Sequence, residues 1–205
     1  MKSALLVINM QNNYCIYCDN YTDTVNSINS SNSNNITNSL TIIPLINSIR
    51  DLFDYVIFVK DWYPKTHKNI LNNKIKIQCI QNTDGAKLNS GLIVNDYDFI
   101  INKCTLELYD SDSAFYNAKE IDKESNLNNI IKENGITNIY ICGMLPEQNI
   151  FATVLDAIRF KHKITIFKDL CVGLNKNKIE KSYQYLNKLN VDIINSTQLT
   201  ELVEP

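Results

Sequence analysis

The 205-residue sequence has no strong charge of either sign and no long apolar run. Its 20 basic and 22 acidic residues leave a net charge of -2, which argues against nucleic acid or an acidic membrane as a partner. No apolar stretch approaches the roughly 20 residues that a membrane-spanning helix needs. Residues 1–8 are typical of a first core strand and not of a signal peptide, because no small-residue cleavage site follows them.

The sequence also lacks cysteines spaced for a structural zinc site. Cys15 and Cys18 form one C-x-x-C pair, and the other four of the six cysteines form no second pair. Without a secretion signal, we expect reduced thiols and a cytoplasmic protein. Asparagine, in contrast, is over-represented. Residues 22–39 form an Asn/Ser-rich tract, which we expect to be a flexible insertion because it offers too little apolar surface to become ordered.

Short apolar runs alternate with segments of helical spacing along the chain. The runs lie at 5–9, 55–60, 99–103, 139–142, 164–167 and 191–194, and the helical segments at 40–53, 127–134, 149–160 and 179–189. This alternation predicts a mainly parallel sheet with helices on both faces. A chain of this length suits one core. The sequence therefore predicts a single α/β domain over residues 1–205, built as a three-layer αβα sandwich with a Rossmann-like central sheet.

Polar side chains follow several of these predicted strands. In parallel sheets, sites lie beyond the carboxyl ends of the strands, which here carry Asn9, Asp61, Lys103 and the turn at 146–149. We expect these four segments to converge on one crevice. A strand, a turn and a helix start at 141–153 form a place where a helix N-terminus could stabilise an anionic nucleophile. The residue at that place is Asn149, whose amide is a poor nucleophile and cannot lose a proton near neutral pH.

Five segments resemble, in order, motifs of the isochorismatase-like cysteine hydrolases, and among these the nicotinamidases. They are residues 4–15, 60–67, 78–86, Lys103 with 110–115, and 143–157. The resemblance extends from residue 4 to about residue 173. It implies the isochorismatase-like fold. It also implies a hydrolase fold. Family members with this fold hydrolyse a carbon–nitrogen amide bond, as in the conversion of nicotinamide to nicotinate and ammonia.

The resemblance places the catalytic positions of the family at Asn9, Lys103 and Asn149. The family chemistry uses a carboxylate, a lysine and a thiol, but Asn9 replaces the carboxylate and Asn149 replaces the cysteine. Losing one member of such a unit costs on the order of 10³–10⁶ in rate. Isochorismatases lack the cysteine and use the carboxylate as an acid, and Asn9 removes that route as well. The resemblance therefore implies a pseudoenzyme that acts by binding or assembly.

The metal site of the nicotinamidases is matched only in part. The family holds a divalent cation with one Asp and two or three His. Asp61 and His67 match this pattern, whereas Tyr63 and Gln78 stand where histidines are expected. A phenol and a neutral amide are poor zinc ligands. We therefore expect no cofactor, or at most weak residual binding of a divalent metal such as zinc. With no resemblance to consider, a lone histidine such as His67 is more often structural.

The resemblance also implies pocket residues for a small pyridine-like ligand. These are Tyr14, Trp62, Leu145 and Pro146. The aromatic side chains could equally be core packing, and Lys103 could be a solvated strand end. Asn9 and Asn149 are expected to hydrogen-bond each other.

Cys104 could supply a replacement thiol. Adjacent strand residues point to opposite faces, however, which predicts that Cys104 faces away from Lys103. The alternative to a pseudoenzyme is an active hydrolase with altered catalytic residues, acting on nicotinamide or on another small amide or ester. We also expect a homo-oligomer, or pairing with an active paralogue.

Overall fold

The computed structural model describes residues 1–18, 20 and 38–199. Residues 22–37 of the expected insertion lie outside this part of the chain. Asn38 is the N-cap of a helix that begins at Ser39, because its side chain accepts a hydrogen bond from the Thr41 N–H.

Eight strands occur in the described residues. They are β1 (Lys2–Ile8), β2 (Tyr55–Asp61), β3 (Phe99–Lys103), β4 (Tyr116–Ala118), β5 (Lys123–Glu124), β6 (Ile136–Met144), β7 (Lys163–Val172) and β8 (Asp192–Ile194). Six of them form one sheet in the order β3-β2-β1-β6-β7-β8, and every pairing in it is parallel. β4 and β5 form a small antiparallel pair. The strand order reverses direction at β1, so the carboxyl ends of β1 and β6 flank a crevice suited to a site.

The described residues include five helices of at least four residues beside the sheet, and residues 12–18 and 197–199 are helical as well. The five are α1 (Ser39–Ile49), α2 (Lys68–Leu71), α3 (Leu127–Glu133), α4 (Phe151–Arg159) and α5 (Lys176–Lys188). Short 3-10 turns lie at Arg50–Leu52, Asp84–Ala86 and Lys119–Ile121, and a π-helix spans Pro146–Ile150. In the described part of the chain, no helix is long and apolar enough to cross a membrane.

Two apolar cores lie on opposite faces of the sheet, because successive residues of β1 point to opposite faces. Leu6 and Ile8 pack with side chains of α3, α4 and α5. Leu5 and Val7 pack with α1 and with the helical residues 12–18. Burial of a strand on both faces is typical of a central parallel strand. The expected three-layer α/β fold is confirmed, with its six strands where the apolar runs predicted them.

Glycine is required at one position next to the site. Gly143 near the end of β6 has a φ of +114°, and a Cβ there would lie 2.2 Å from the backbone oxygen of Ile8. β6 therefore approaches β1 closely at its carboxyl end. The chain then turns through Leu145, which has a φ of +59°, into the π-helix. The helix predicted at 149–160 consequently begins at Phe151 and not at Asn149.

Candidate active site

The carboxyl ends of β1, β2 and β3 and the π-helix each place one predicted site residue in the interior. Asn9 follows β1, Asp61 ends β2, Lys103 ends β3 and Asn149 lies in the π-helix. Each of the four side chains is at most 2% exposed. Lys103 is thus no solvated strand end. The structure brings Asp61, Lys103 and Asn149 into one hydrogen-bonded cluster, which Asn9 adjoins without joining.

Asp61 and Lys103 form a buried ion pair. The two residues are register partners of β2 and β3, and the Lys103 ammonium contacts Asp61 Oδ1. Burial alone lowers the pKa of a lysine, but the adjacent Asp61 carboxylate more than offsets this and holds the pKa of Lys103 above its ordinary value. Lys103 therefore remains a cation that is already neutralised within the protein.

A hydrogen-bond chain runs from this ion pair to the π-helix. The Tyr14 hydroxyl donates to Asp61 Oδ2 at 2.6 Å, and Asn149 Nδ2 donates to the same hydroxyl at 3.2 Å. Burial, together with the Asp61 carboxylate, raises the pKa of Tyr14 well above its ordinary value, so the phenol stays a neutral donor. Both oxygens of Asp61 are thus engaged by protein groups.

Gln11 is a positioning residue that the sequence reasoning missed. Its Oε1 accepts from the Asp61 N–H at 2.8 Å, and its Nε2 donates to the backbone oxygens of Asp61 at 2.8 Å and Ala86 at 2.9 Å. These bonds fix the end of β2 against the segment that follows β1. The only signal in the sequence was a glutamine two residues after Asn9, inside the first family-like motif.

Asn9 has a buried carboxamide without a partner. Its Oδ1 and Nδ2 make no hydrogen bond to any residue that the structure describes. Its φ of +50° lies in the left-handed region, which asparagine tolerates better than most residues. The prediction that Asn9 and Asn149 hydrogen-bond each other is therefore wrong. Asn149 bonds to Tyr14 instead, which leaves Asn9 with a buried polar group that costs about 1–3 kcal/mol.

Cys104 lies on the same side as Lys103, contrary to the prediction from strand alternation. It follows the last residue of β3 and has a φ of +59°, so the alternation rule no longer applies to it. Its Sγ lies 3.7 Å from Lys103 Nζ and 3.9 Å from Asp61 Oδ1. The structure thus places a thiol, a carboxylate and an ammonium in contact, although none comes from positions 9 or 149.

This thiol is not in a state to react. Cys104 has no solvent exposure, and burial raises the pKa of its thiol to about 12. The thiolate is the nucleophilic form of cysteine, and cysteines whose pKa is raised by burial are inert. Near neutral pH the Cys104 thiol therefore stays protonated.

The π-helix determines how Asn149 is presented. The Ile150 N–H bonds to the Leu145 oxygen, five residues back, at 3.2 Å. Thr153 Oγ1 donates to the backbone oxygen of Asn149 at 2.7 Å and accepts from the Ala114 N–H at 2.9 Å. This tightly bonded turn is the local geometry in which π-helical residues commonly serve functional sites.

A cleft of about 730 Å³ opens above the cluster, a size suited to small ligands. Asp61, Tyr63 and Ser111 form part of its wall. Of the four predicted pocket residues, Tyr14 and Leu145 line this cleft. Trp62 and Pro146 are not among its lining residues. Trp62 packs against the core, and its ring lies 4.4 Å from Lys60 Nζ.

The family-like metal ligands do not form a suitable donor set. His67 Nδ1 accepts from the Asn69 N–H at 3.3 Å, and its buried Nε2 has no hydrogen-bond partner among the described residues. Gln78 Nε2 donates to the Ile75 oxygen at 3.3 Å. Within residues 1–18, 20 and 38–199, no group of three or more His, Cys, Asp or Glu side chains is arranged to hold a metal ion.

Comparison with known proteins gives consistent matches over nearly the whole chain. The isochorismatase domain pattern matches residues 3–198. The nicotinamidase of Acinetobacter baylyi is 25% identical over 173 residues, 75% of this chain and 80% of that protein. The nicotinamidase of Escherichia coli is 22% identical over 200 residues, 89% of each chain. Among solved structures, a nicotinamidase/pyrazinamidase of Acinetobacter baumanii superposes with a TM-score of 0.78 at 26% identity, covering 97% of this chain and 98% of that one.

Proposed function

This chain belongs to the isochorismatase family, a family of hydrolases acting on amides, and from that premise we propose that its cleft binds a small planar ligand without hydrolysing it. The observation that carries the proposal is the pair of amides at positions 9 and 149. Both side chains are buried, and neither can ionise near neutral pH. Neither can therefore attack an amide carbon or shuttle its proton.

The remaining ionisable groups are committed to one another. Lys103 is neutralised by Asp61, and Asp61 Oδ2 is held by the Tyr14 hydroxyl. For Asp61 to act as a general base, it would have to break the ion pair and leave an uncompensated buried ammonium, which is strongly unfavourable. No cysteine lines the cleft in the described part of the chain. The site thus supports binding better than acyl transfer.

Aromatic and apolar side chains make the cleft suitable for a flat ring. Tyr14, Tyr63 and Leu145 line it, and phenol rings offer both apolar faces and polar hydroxyls to a ligand. Burial raises the pKa of Tyr63 well above its ordinary value, so its hydroxyl remains neutral. The relatives reported above are nicotinamidases by name, and nicotinamide, a flat pyridine carboxamide, is the first ligand to test.

The test combines a binding measurement with an activity measurement on one protein sample. Calorimetric titration with nicotinamide measures binding, and an enzyme-coupled ammonia assay measures turnover, with the Escherichia coli relative as the positive control. We expect saturable binding and no ammonia above the blank. Turnover at about 1 s⁻¹ or more, an ordinary enzyme rate, would show that the protein hydrolyses the ligand. No binding at nicotinamide concentrations up to about 10 mM would show that the cleft does not take this ring, since the binding free energy would then be weaker than about 3 kcal/mol.

One observation favours a second candidate, an active hydrolase with a relocated thiol. Cys104, Asp61 and Lys103 together supply the three kinds of group that the family chemistry uses. The obstacles are the burial of Cys104 and its raised thiol pKa. A screen of small amides and esters with Cys104→Ala as the matched variant separates the two candidates. Hydrolysis that disappears in Cys104→Ala supports the relocated thiol, and hydrolysis that persists excludes it.

Assembly is a third proposal, compatible with either activity. β3 is an edge strand of the sheet, and Ile93, Tyr97 and Ile100, on and near β3, are each at least 50% exposed. Exposed apolar side chains that cluster on a surface mark places where partners bind. We propose this edge as the contact of a homo-oligomer or of a pairing with an active paralogue. Light scattering should show a dimer or larger species, which Tyr97→Lys should dissociate, and a monomer at about 100 μM would argue against a homo-oligomer of useful affinity.

A further inference from the structure

The Lys103 ammonium lies among three acceptors. It contacts Asp61 Oδ1, donates to the backbone oxygen of Ser111 at 2.5 Å and lies 3.7 Å from Cys104 Sγ. An ammonium has three N–H donors, and here each faces one acceptor. A carboxylate, a carbonyl and a sulfur around one positive centre form the kind of set that otherwise surrounds a bound cation.

The chain around this centre is built to hold the acceptors in place. Cys104 Sγ donates to the Ser111 oxygen, and the Ser111 N–H donates to Cys104 Sγ, both at 3.3 Å. These two hydrogen bonds close the loop of residues 104–111, which follows β3, and keep the Ser111 backbone next to Lys103. The left-handed φ of Cys104 is the conformation that turns its sulfur toward the ammonium. Such strain in a residue other than glycine needs compensating contacts, and the ammonium supplies one.

Both carboxylate oxygens of Asp61 already have partners within the protein. Lys103 holds Oδ1, the Tyr14 hydroxyl holds Oδ2, and Gln11 fixes its backbone. The neutral side chain of Asn9 offers the ammonium no counter-charge. In the described residues, Lys103 forms its ion pair with Asp61 alone.

We propose that the Lys103 ammonium is the resident cation of this site, held by Asp61, Ser111 and Cys104 in place of a divalent metal ion. On this proposal, the loss of a carboxylate at position 9 and the loss of metal binding have the same cause, which is that Asp61 must pair with Lys103. A buried ammonium must be paired, and the carboxylate that pairs it is the one that a metal would need. The inference is independent of which ligand the cleft binds and of whether that ligand is hydrolysed.

The first test uses the protein unchanged. Lys103 is the buried lysine among those that the structure describes, at 1% exposure. Lysine labelled with ¹⁵N at Nζ should therefore give one ammonium signal that exchanges slowly with water, while the solvent-exposed lysines exchange fast. We expect the signal to stay unchanged when Zn²⁺ is added in excess. A signal that shifts or disappears on addition of Zn²⁺ would show that the metal displaces the ammonium, and would overturn the proposal.

The second test removes the ammonium. Lys103→Met keeps the side chain as far as the position of Cε and leaves Asp61 beside the Cys104 sulfur without a cation. We expect this variant to bind Cd²⁺ or Zn²⁺ at least about 10-fold more tightly than the parent protein, with a rise in melting temperature on metal addition. Cd²⁺ should also give a thiolate charge-transfer absorption that the parent protein lacks.

Two matched variants show whether the gained metal uses this site. Lys103→Met/Asp61→Asn and Lys103→Met/Cys104→Ser should each lose the metal response, whereas Lys103→Met/Cys171→Ser, altered at a distant buried thiol, should keep it. An unchanged metal affinity in Lys103→Met, or a response that survives in both double variants, would contradict the proposal. If Lys103→Met does not fold, the ¹⁵N measurement on the parent protein decides.

Discussion

Deletion of the Tyr14 hydroxyl is the sharpest test of the hydrogen-bond chain at the centre of the site. Tyr14→Phe removes one bond to the Asp61 carboxylate at 2.6 Å and one from Asn149 at 3.2 Å. A hydrogen bond to a charged group contributes about 1.5–3 kcal/mol and a neutral one about 0.5–1.5 kcal/mol. All three residues are buried, so solvent does not replace the lost partner. We expect the free energy of unfolding to fall by roughly 2–4 kcal/mol.

Urea unfolding measures this change, with the slope m expected to stay constant because the exposed surface on unfolding is unchanged. Asn149→Ala removes only the weaker bond and should cost about 1 kcal/mol. The matched control is Tyr185→Phe. The ring of Tyr185 packs on Phe151 with centroids 5.7 Å apart, and the residue is 51% exposed, so its hydroxyl should contribute within about 0.5 kcal/mol. Equal stabilities of the Tyr14 and Tyr185 variants would refute the hydrogen-bond chain.

Three further predictions concern lost catalysis, the unpartnered Asn9 and the buried thiols. Asn9→Asp/Asn149→Cys should release ammonia from nicotinamide at least about 10³-fold faster than either single variant, because the catalytic groups act as a unit; equal rates in all three variants would contradict this. Gln11→Ala should lower the free energy of unfolding by roughly 3 kcal/mol, since it breaks three buried hydrogen bonds. Asn9→Gly should instead leave it unchanged or raise it by up to about 1–3 kcal/mol, because it removes two buried polar atoms that have no partner and suits a positive φ. Burial raises the pKa of the Cys104 thiol from 9.0 to about 12, so on raising the pH the unfolded chain loses this proton before the folded protein does. The free energy of unfolding should therefore fall between these two pH values, by up to about 1.4 kcal/mol per pH unit for this thiol. Urea midpoints at pH 8 and 10.5 check this, and Cys104→Ser should reduce the fall.

The main sheet was predictable because its strands are buried on both faces. Ala4 to Ile8 form a continuous apolar run, and such a run gives the same signal whatever lies around it. The β4–β5 pair was not predicted, because Lys123 and Glu124 are exposed and β4 has only three residues. The π-helix was also missed. Its hydrogen bond from the Ile150 N–H to the Leu145 oxygen depends on backbone spacing, which the pattern of apolar side chains does not encode.

The convergence of several strand ends on one place was predictable from the sequence, but the hydrogen bonds made there were not. The ends of parallel strands placed Asn9, Asp61 and Lys103 near one another, which follows from topology alone. Two facts needed coordinates. Cys104 adopts a left-handed φ just past the end of β3, and side-chain alternation does not hold there. The partner of Lys103 depends on the register of β2 against β3, and a sequence does not state that register.

The bonding changes what the two asparagines mean for this protein. Removing a carboxylate at position 9 leaves the ammonium of Lys103 without a counter-charge, and a buried unpaired ammonium is too costly to persist. Asp61 supplies the charge, and in doing so it ceases to be available to a metal ion. Restoring the carboxylate with Asn9→Asp should therefore do two things at once. It should give Lys103 a second counter-ion, and it should let Asp61 respond to Zn²⁺, with a melting-temperature rise that the parent protein and Asn9→Asp/Asp61→Asn both lack. A Zn²⁺ response equal in Asn9→Asp and in the parent would show that the charge at position 9 and the cation at Asp61 are independent.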